Sequence, residues 1–205
     1  MEKLYIDLID EKNIDSVLDL IQKLHVHSEE SYLHSLDVAE KAVLLAEAFG
    51  IHGQDLKNLY TASLLHDIGK LYISPELLHK TNVTSKERDF IRKEHIKGTK
   101  EILSGHFDED IVKLATHHHE RLNCSGYPEH LNAKKLDLLD RILQVADVTS
   151  ALSMKRSYQD AQEPAQIIEI LENLVRRSEL DKKCVKTIEE IYLIPLKNLK
   201  QPENG

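Results

Sequence analysis

Apolar residues recur along this chain at helical spacing, and this pattern restricts the fold more than any other feature. A clear example is the stripe near the N-terminus formed by Ile14, Val17, Leu18, Ile21 and Leu24. No segment alternates apolar and polar residues as a half-buried strand does. The 205 residues include only 7 glycines, 5 prolines and no tryptophan, a composition that suits helices better than a turn-rich β-protein. We therefore predict an all-α fold.

Capping signals divide this pattern into successive helices. Thr84 and Glu87 form the sequence of a capping box, which predicts a helix that begins there and runs to Leu103. Gly50 predicts the end of an earlier helix, because glycine commonly follows a helix C-terminus. Residues 72–75 predict a short connector. The predicted helices after residue 28 cover approximately residues 29–49, 55–67, 84–103, 109–118, 136–154, 164–177 and 182–192.

The length of the chain bounds its domain organisation. A chain of 205 residues is long enough for one sizeable domain with a small addition. We predict a helical segment over residues 1–28, a main domain over residues 29–196 and a polar tail over residues 197–205.

The charge and the cysteines argue against several classes of function. A net charge of -8 argues against a nucleic-acid polymer as partner, since that binding depends on clustered lysine and arginine. No apolar run approaches the roughly 18 residues of a membrane span, and the N-terminus has no signal-peptide pattern. Cys124 and Cys184 lie far apart and form no CxxC motif, so we expect a reduced, cytoplasmic protein.

The pair His66-Asp67 is the first indication of a functional site. It ends an apolar run and is followed at once by Gly69 and Lys70. Ionisable groups buried in a core need a partner or a metal. Taken alone, the pair has an ordinary alternative explanation, namely a hydrogen-bonded core histidine beside an aspartate at a helix end.

Further histidines and carboxylates occur at helical positions. Glu30 and His34 are four residues apart and share one helix face, although a surface ion-pair face is the better explanation of this pair taken alone. A single helical histidine such as His95 is usually structural. Asp147 interrupts an apolar helix, where solvation does not explain it. Together these groups suit iron, manganese or zinc-like ions better than magnesium. The candidates are Glu30, His34, His66, Asp67, His95, the run His117-His118-His119-Glu120 and Asp147.

The order of these motifs resembles the HD-GYP family, a branch of the HD superfamily of metal-dependent phosphodiesterases that hydrolyses the bacterial second messenger cyclic di-GMP. The resemblance covers about residues 30–158, and it implies an HD-type helical bundle, here with an N-terminal helical extension. A plain HD hydrolase would not share residues 118–128. The resemblance is carried by His34, His66-Asp67 with Gly69-Lys70, His95, His118-His119-Glu120-Arg121, Gly126-Tyr127-Pro128 and Val145-Ala146-Asp147.

The resemblance implies, by position, that Asp67 bridges two ions and that eight residues are metal ligands: Glu30, His34, His66, Asp67, His95, His118, His119 and Asp147. It implies two or three divalent transition-metal ions, with iron or manganese the best candidates, and Glu30 matches the ligand of a third ion. Three consecutive histidines occur at 117–119. Glu120 and Arg121 follow them as in the family's pattern. This alignment makes His118 and His119 the ligands and leaves His117 as a helix-end residue.

Three further residues are implied to meet the substrate. Lys70 matches a lysine that contacts the scissile phosphate, so it joins Asp67 as a catalytic residue. Arg156 matches an arginine that binds the phosphates of the dinucleotide, and Tyr127 lies in the loop near the substrate. A solvated lysine and an arginine that complements a helix dipole are the ordinary alternatives. In the family, the loop that corresponds to residues 126–128 is also linked to binding diguanylate cyclase domains.

The chain departs from the family's pattern at several places, none of which removes a metal ligand. Leu122-Asn123-Cys124 stands where the family usually has Trp-Asp-Gly. Ser150 stands where a second aspartate is common, and Gln159 where a basic residue binds phosphate. The change at Gln159 leaves the choice of cyclic dinucleotide open.

Together the motifs predict an enzyme that hydrolyses cyclic di-GMP to the linear dinucleotide, and onward to GMP if three ions are bound. Two alternatives stay open. One is an HD phosphohydrolase that acts on another nucleotide or on cyclic GMP-AMP. The other is a sensor that binds metal and dinucleotide without turnover. No sensory domain is recognisable in the sequence, so regulation would depend on residues 1–28, on oligomerisation or on another chain.

Overall fold

The computed structural model describes residues 4–154 and 161–200, which form helices and no β-strand beyond two isolated bridges. The predicted all-α class is therefore confirmed. The α-helices in these ranges are α1 (Ile14–His27), α2 (Glu29–Ala48), α3 (Gly53–Leu65), α4 (Pro75–Leu78), α5 (Ser85–Leu103), α6 (Glu109–His117), α7 (Leu138–Ser153), α8 (Pro164–Arg176), α9 (Lys182–Ile188) and α10 (Ile194–Lys200).

Short helices of other types join the α-helices. The 3₁₀ helices are Ile6–Leu8, Glu11–Asn13 and Ile68–Tyr72, and Glu189–Leu193 is a π-helix. The 3₁₀ helix Ile68–Tyr72, called the 68–72 turn below, follows the end of α3 after two residues. None of the helices in the described ranges combines the length and the apolar character needed to cross a membrane.

Helix α3 runs through the centre of the protein. Residues 58–69 are all buried, and Leu59, Leu64 and Leu65 belong to the hydrophobic core. Helices α2, α6 and α7 pack around α3. The predicted burial of the segment before His66 is therefore confirmed, and the polar side chains at the end of α3 are enclosed by neighbouring helices.

Helix α1 packs against α2, α3 and the 68–72 turn. Val17, Ile21 and Leu24 from the predicted apolar stripe are buried, whereas Leu18 is 38% exposed. Leu18 lies at the edge of the stripe, so the face of α1 that enters the core is narrower than the spacing predicted.

The caps set the helix boundaries. The predicted capping box is confirmed, because the Thr84 side chain accepts a hydrogen bond from the Glu87 N–H and the Glu87 carboxylate accepts one from the Thr84 N–H. Helix α7 begins at Leu138 rather than at Leu136. The cause is Asp137, whose carboxylate accepts hydrogen bonds from two N–H groups in the first turn of α7.

Two segments differ from their predictions. The connector at residues 72–75 leads into the short helix α4, whose N-terminus is capped by the side chain of Ser74. The single helix predicted over residues 182–192 is instead α9 followed by the π-helix, and α10 continues to Lys200. A π-helix keeps a nearly helical spacing of apolar residues while changing the hydrogen bonds, so the spacing does not reveal it.

The 68–72 turn and α5 are in very close contact. A Cβ atom on Gly69 would overlap the carbonyl oxygen of His95 and the backbone nitrogen of Thr99, and Gly98 lies against Gly69. The Thr99 hydroxyl accepts a hydrogen bond from the Gly69 N–H at 3.0 Å and donates one to the carbonyl oxygen of His66 at 3.0 Å. The backbone that carries His66 is thereby fixed against the helix that carries His95.

We expect the substitution Gly69→Ala to lower the free energy of unfolding by about 2 kcal/mol or more, because the added methyl group overpacks a backbone contact. Urea denaturation followed by circular dichroism measures this. Gly98→Ala is the matched control, since its Cβ atom would meet its nearest neighbours at 3.0 Å and should cost less. An unchanged unfolding free energy for Gly69→Ala would mean that α5 can move away from the turn freely.

Candidate metal centre

The ends of α3 and α6 meet α2, α5 and α7 in the interior of the protein. Seven of the eight predicted metal ligands lie there, and six of them are almost completely buried. His119 is the exception, with 25% of its side chain exposed. The seven residues are His34, His66, Asp67, His95, His118, His119 and Asp147.

Six of these side chains form two clusters, and within each cluster the potential ligand atoms lie within 4.8 Å of one another. Each cluster therefore has the spacing of a metal site. The first cluster is His34, His66 and Asp67, and the second cluster is His95, His118 and His119.

Two carboxylates lie between the clusters. Asp67 has one oxygen 3.9 Å from Nε2 of His34 and the other 4.0 Å from Nε2 of His118. Asp147 has one oxygen 3.0 Å from Nε2 of His34 and the other 3.9 Å from Nδ1 of His119. A carboxylate that faces both clusters is suited to bridging two ions.

Backbone carbonyl groups orient three of the histidine rings. Each ring donates a hydrogen bond from Nδ1 to a carbonyl oxygen three or four residues earlier, which leaves the Nε2 lone pair of a neutral ring free to bind a metal. The pairs are His66 to Ser63 at 2.7 Å, His95 to Ile91 at 2.8 Å and His118 to Ala115 at 2.7 Å.

The Nε2 atoms of the same three histidines are buried and have no hydrogen-bond partner among the described residues. A buried polar atom without a partner costs free energy. In addition, Nε2 of His66 lies 3.3 Å from a carboxylate oxygen of Asp67, and a proton or a metal ion between these two atoms would satisfy both. Metal ions would satisfy all of these atoms, and the residues therefore fit a metal centre.

The protonation states at neutral pH are close to those that metal binding requires, with His66 as the exception: burial would lower its pKa, but the Asp67 carboxylate beside it raises the pKa. Burial would raise the pKa of Asp67 and of Asp147, but Lys70 beside the first and His34 beside the second hold both pKa values well below the usual range. Burial lowers the pKa of His118 to about 3. The centre therefore offers anionic carboxylates and a neutral imidazole, and a metal ion displaces few protons when it binds.

His34 is oriented differently from the other histidines. Its Nδ1 atom lies 2.9 Å from the hydroxyl oxygen of Ser150, and its Nε2 atom lies 3.0 Å from Asp147. A hydroxyl group can donate or accept, so it does not fix the tautomer of the ring as a carbonyl oxygen does. Ser150 departs from the family's pattern, and it is the direct partner of a predicted ligand.

Lys70 and Glu30 lie beside the centre. The Lys70 ammonium is 2.6 Å from a carboxylate oxygen of Asp67. Both Lys70 and Glu30 line a cavity of about 540 Å³, and within the described ranges Glu30 belongs to neither cluster. The predicted substrate residue Arg156 lies outside the described residues.

Glu120 ties the loop of residues 126–131 to the metal centre. Its carboxylate is completely buried and accepts hydrogen bonds from the N–H of Glu129 at 2.6 Å and from the N–H of Leu131 at 2.8 Å. The Tyr127 N–H donates to the carbonyl oxygen of His119 at 3.2 Å. The loop is thus held against the segment that carries two predicted ligands.

Tyr127 lies over the second cluster. Its ring centroid is 4.7 Å from that of His119, and the guanidinium group of Arg92 lies 5.7 Å from the Tyr127 ring centroid. Burial raises the pKa of the Tyr127 hydroxyl, so it remains protonated and can donate a hydrogen bond. A Cβ atom on Gly126 would overlap the backbone of Arg121, which explains the glycine before this tyrosine.

Sequence reasoning assigned no role to three residues that shape the centre: Thr99, Glu120 and Ser150. Thr99 follows His95 by four residues on the same face of α5, and this spacing was an available signal. Glu120 was recognised only as part of a motif. Nothing in the sequence indicated that Ser150 contacts His34, because the two residues are 116 positions apart.

Comparisons with known proteins agree with this geometry. The family model described as "HD domain" matches residues 16–184. A 3'3'-cGAMP-specific phosphodiesterase (number 1) of Vibrio cholerae is 33% identical over 162 residues, covering 78% of this chain and 38% of its own length. A cyclic di-GMP phosphodiesterase of Pseudomonas aeruginosa is 29% identical over 170 residues, covering 79% of this chain and 41% of its own. This chain thus spans less than half the length of these relatives.

Solved structures support the fold. The HD domain of the L. monocytogenes phosphodiesterase PgpH, in complex with cyclic-di-AMP, aligns with a TM-score of 0.67 and 19% identity, covering 91% of this chain and 99% of that chain. Bd1817, an HDG"Y"P protein from Bdellovibrio bacteriovorus, aligns with a TM-score of 0.63 and 21% identity, covering 77% of this chain and 51% of that chain. At this identity the likeness establishes the helical architecture.

We expect metal removal to lower the melting temperature, because ions that bind only the folded state stabilise it. At a free metal concentration of 100 times Kd, the stabilisation is about 2.7 kcal/mol, which for a chain of this size is a rise of roughly 5–10 °C. Differential scanning calorimetry of chelator-treated protein, before and after addition of Mn²⁺ or Fe²⁺, measures this. Identical melting temperatures under all conditions would contradict a metal centre.

We expect Ser150→Ala to weaken metal binding about 10-fold, because residues that orient a ligand typically contribute that much to affinity. Competition with a chelating dye measures the apparent Kd, and circular dichroism checks the fold. Ser153→Ala is the control, since the Ser153 hydroxyl bonds to the Ser150 carbonyl oxygen and contacts no predicted ligand. Equal Kd values for Ser150→Ala and Ser153→Ala would show that Ser150 has no such role.

Proposed function

Because the chain belongs to the HD domain family, we propose that it is a metal-dependent phosphodiesterase that hydrolyses cyclic dinucleotides, with cyclic di-GMP as the first candidate and the linear dinucleotide as the first product. The observation that carries this proposal is the set of three buried, unpartnered Nε2 atoms beside two carboxylates that face both clusters. The likeness to relatives named as cyclic dinucleotide phosphodiesterases supports it.

The centre is proposed to hold two transition-metal ions. The first cluster with Asp147 would hold one ion, and the second cluster the other, with Asp67 shared between them. The mixture of imidazole and carboxylate donors suits iron or manganese. Glu30 keeps its predicted role as the ligand of a third ion, which would favour hydrolysis onward to GMP.

Bound ions supply a water of lowered pKa and neutralise charge on phosphate oxygens. The protein's own residues supply the rest. Carbonyl groups fix the imidazole rings, and burial excludes water from around them. The Lys70 ammonium, 2.6 Å from Asp67, is placed to stabilise negative charge that develops on the phosphate. The protonated hydroxyl of Tyr127 would donate a hydrogen bond to the substrate, and Arg156 would bind a phosphate.

A second candidate substrate is 3'3'-cGAMP. Two Vibrio cholerae relatives named as specific for it are 33% and 32% identical to this chain. The two cyclic dinucleotides differ in one base, so the same centre can cleave either, and the choice depends on contacts with the bases. A comparison of the rates at which the protein hydrolyses cyclic di-GMP and 3'3'-cGAMP distinguishes these two candidates.

Several predictions from the sequence stay predictions. They are a catalytic domain over residues 29–196 that follows the helical segment 1–28, a cytoplasmic location, and contact between residues 126–128 and a diguanylate cyclase domain. The oligomeric state is open. Sensing without turnover is the alternative to catalysis, and it predicts dinucleotide binding that Lys70→Ala leaves unchanged.

The test is hydrolysis of cyclic di-GMP and 3'3'-cGAMP by anaerobically purified protein of measured metal content. Asp67→Ala should lose both bound metal and turnover. Lys70→Ala should keep its metal and lose at least about 100-fold in kcat, since it removes one charge that stabilises the transition state. Lys97→Ala is the matched control, because Lys97 is exposed on α5 and pairs only with Glu101 among the described residues.

Each of the other outcomes would contradict the proposal or favour a different function. Full metal content without turnover of any nucleotide would favour the sensor. Faster turnover of mononucleotides than of cyclic dinucleotides would favour another HD phosphohydrolase. Protein that binds no transition metal would contradict the proposed centre itself.

A further inference from the structure

The cavity beside the metal centre is also lined by basic residues to which the proposed reaction assigns no role. Its volume of about 540 Å³ lies within the range of small-molecule sites, about 300–1,000 Å³. Lys70 lines it on the side of the metal centre. The other walls come from α2, the segment after α4 and the first turns of α5. They include Ser31, Lys80, Asn82 and Arg88.

Arg88 differs from the two lysines of this cavity. Lys70 pairs with Asp67 and Lys80 pairs with Glu87, each at 2.6 Å. The Arg88 guanidinium forms no hydrogen bond or ion pair with any residue that the structure describes. A guanidinium group that no described residue binds is available to a ligand, and its planar set of donors matches the oxygens of a phosphate.

The position of Arg88 on α5 places it in line with a predicted metal ligand. Arg88, Ile91 and His95 follow one another at spacings of three and four residues, so they share one helix face. Arg88 and His95 are two turns apart, which is about 10 Å along the helix axis. Arg88 and Lys70 line the same cavity, and Lys70 contacts the predicted ligand Asp67. A ligand in the cavity that reaches Lys70 can therefore also contact Arg88.

The remaining lining suits a base or sugar. Leu78, Val83 and Ile91 give the cavity an apolar side, while Asn82 offers both a donor and an acceptor. Apolar walls with a few polar groups are typical of sites that orient a small ligand. Glu30 also lines the cavity, so an anion would bind on the side of Arg88, whose positive charge would attract it.

We propose that this cavity binds the half of the cyclic dinucleotide that is not being cleaved, and that Arg88 binds its second phosphate. This inference rests on the proposed function. A cyclic dinucleotide carries two phosphodiester groups in one ring, so when one is at the metal centre the other must be accommodated close by. Arg88 would supply, from α5, the phosphate contact that the glutamine at position 159 does not provide. Arg88 is thus a substrate-binding residue that also favours cyclic dinucleotides over smaller phosphodiesters.

The test compares two substrates that share the reaction but not the second phosphate. Arg88→Ala should raise KM for cyclic di-GMP about 10-fold, the loss expected for a hydrogen bond to a charged group. Its kcat/KM for bis(p-nitrophenyl) phosphate, which has one phosphate, should stay within about twofold of the wild-type value. Arg88→Lys should recover part of the affinity, because it keeps the charge but not the two parallel hydrogen bonds.

Lys93→Ala is the matched control, since it removes one positive charge from an exposed position on the same helix and Lys93 does not line the cavity. An equal rise in KM for Lys93→Ala would mean that only net charge matters, and would overturn the proposal. An unchanged KM for Arg88→Ala in an active enzyme would overturn it while leaving the proposed function intact.

If the wild-type protein hydrolyses neither substrate, the proposed function fails and calorimetric binding of cyclic di-GMP decides the inference. A Kd weakened about 10-fold in Arg88→Ala, but not in Lys93→Ala, would support the cavity as a dinucleotide site. An equal Kd for Arg88→Ala and wild type, or no binding to wild type, would overturn it.

Discussion

Two helices end inside the protein rather than at its surface, and the metal centre depends on this arrangement. The last carbonyl groups of a helix have no partner within the helix. At the ends of α3 and α6, the carbonyl groups of Ser63 and Ala115 accept hydrogen bonds from His66 and His118. Each contact therefore satisfies one carbonyl group at a buried helix end and also orients an imidazole ring toward one of the two oxygens of Asp67. Moving either helix end by one residue would lose both effects.

The sequence allowed much of this architecture to be predicted, because helical spacing and capping depend on neighbouring residues. The burial of a histidine and an aspartate at the end of α3 also indicated a metal, and the HD family predicted from the motif order was confirmed. What the sequence could not provide are contacts between distant segments. The backbone contact at Gly69 depends on which helix passes beside it, and the contact between Ser150 and His34 depends on how α2 and α7 pack. The π-helix was not predicted, because its apolar residues keep nearly the spacing of an α-helix.

A protein with a net charge of -8 is an unexpected host for an anionic ligand. Bound cations can reverse the sign of the local field, and the centre is built for them, with anionic Asp67 and Asp147 beside neutral imidazole rings. Lys70 adds a fixed positive charge at its edge. The negative charge elsewhere would then restrict where an anion can approach, because most of the surface would repel it while a cavity loaded with metal ions would attract it.

The way in which the buried carboxylate of Glu120 holds its loop allows the loop sequence to change during evolution. Its two hydrogen bonds go to backbone N–H groups, which every residue except proline provides. The loop sequence between residues 126 and 131 can therefore change at most positions without breaking the attachment, provided that Gly126 keeps its close approach to the backbone. New side chains can be presented to a ligand while the metal-binding segment stays in place. Selection can thus change the residues of the loop that would face a ligand and keep the predicted metal ligands unchanged, although both lie within about a dozen residues of one another.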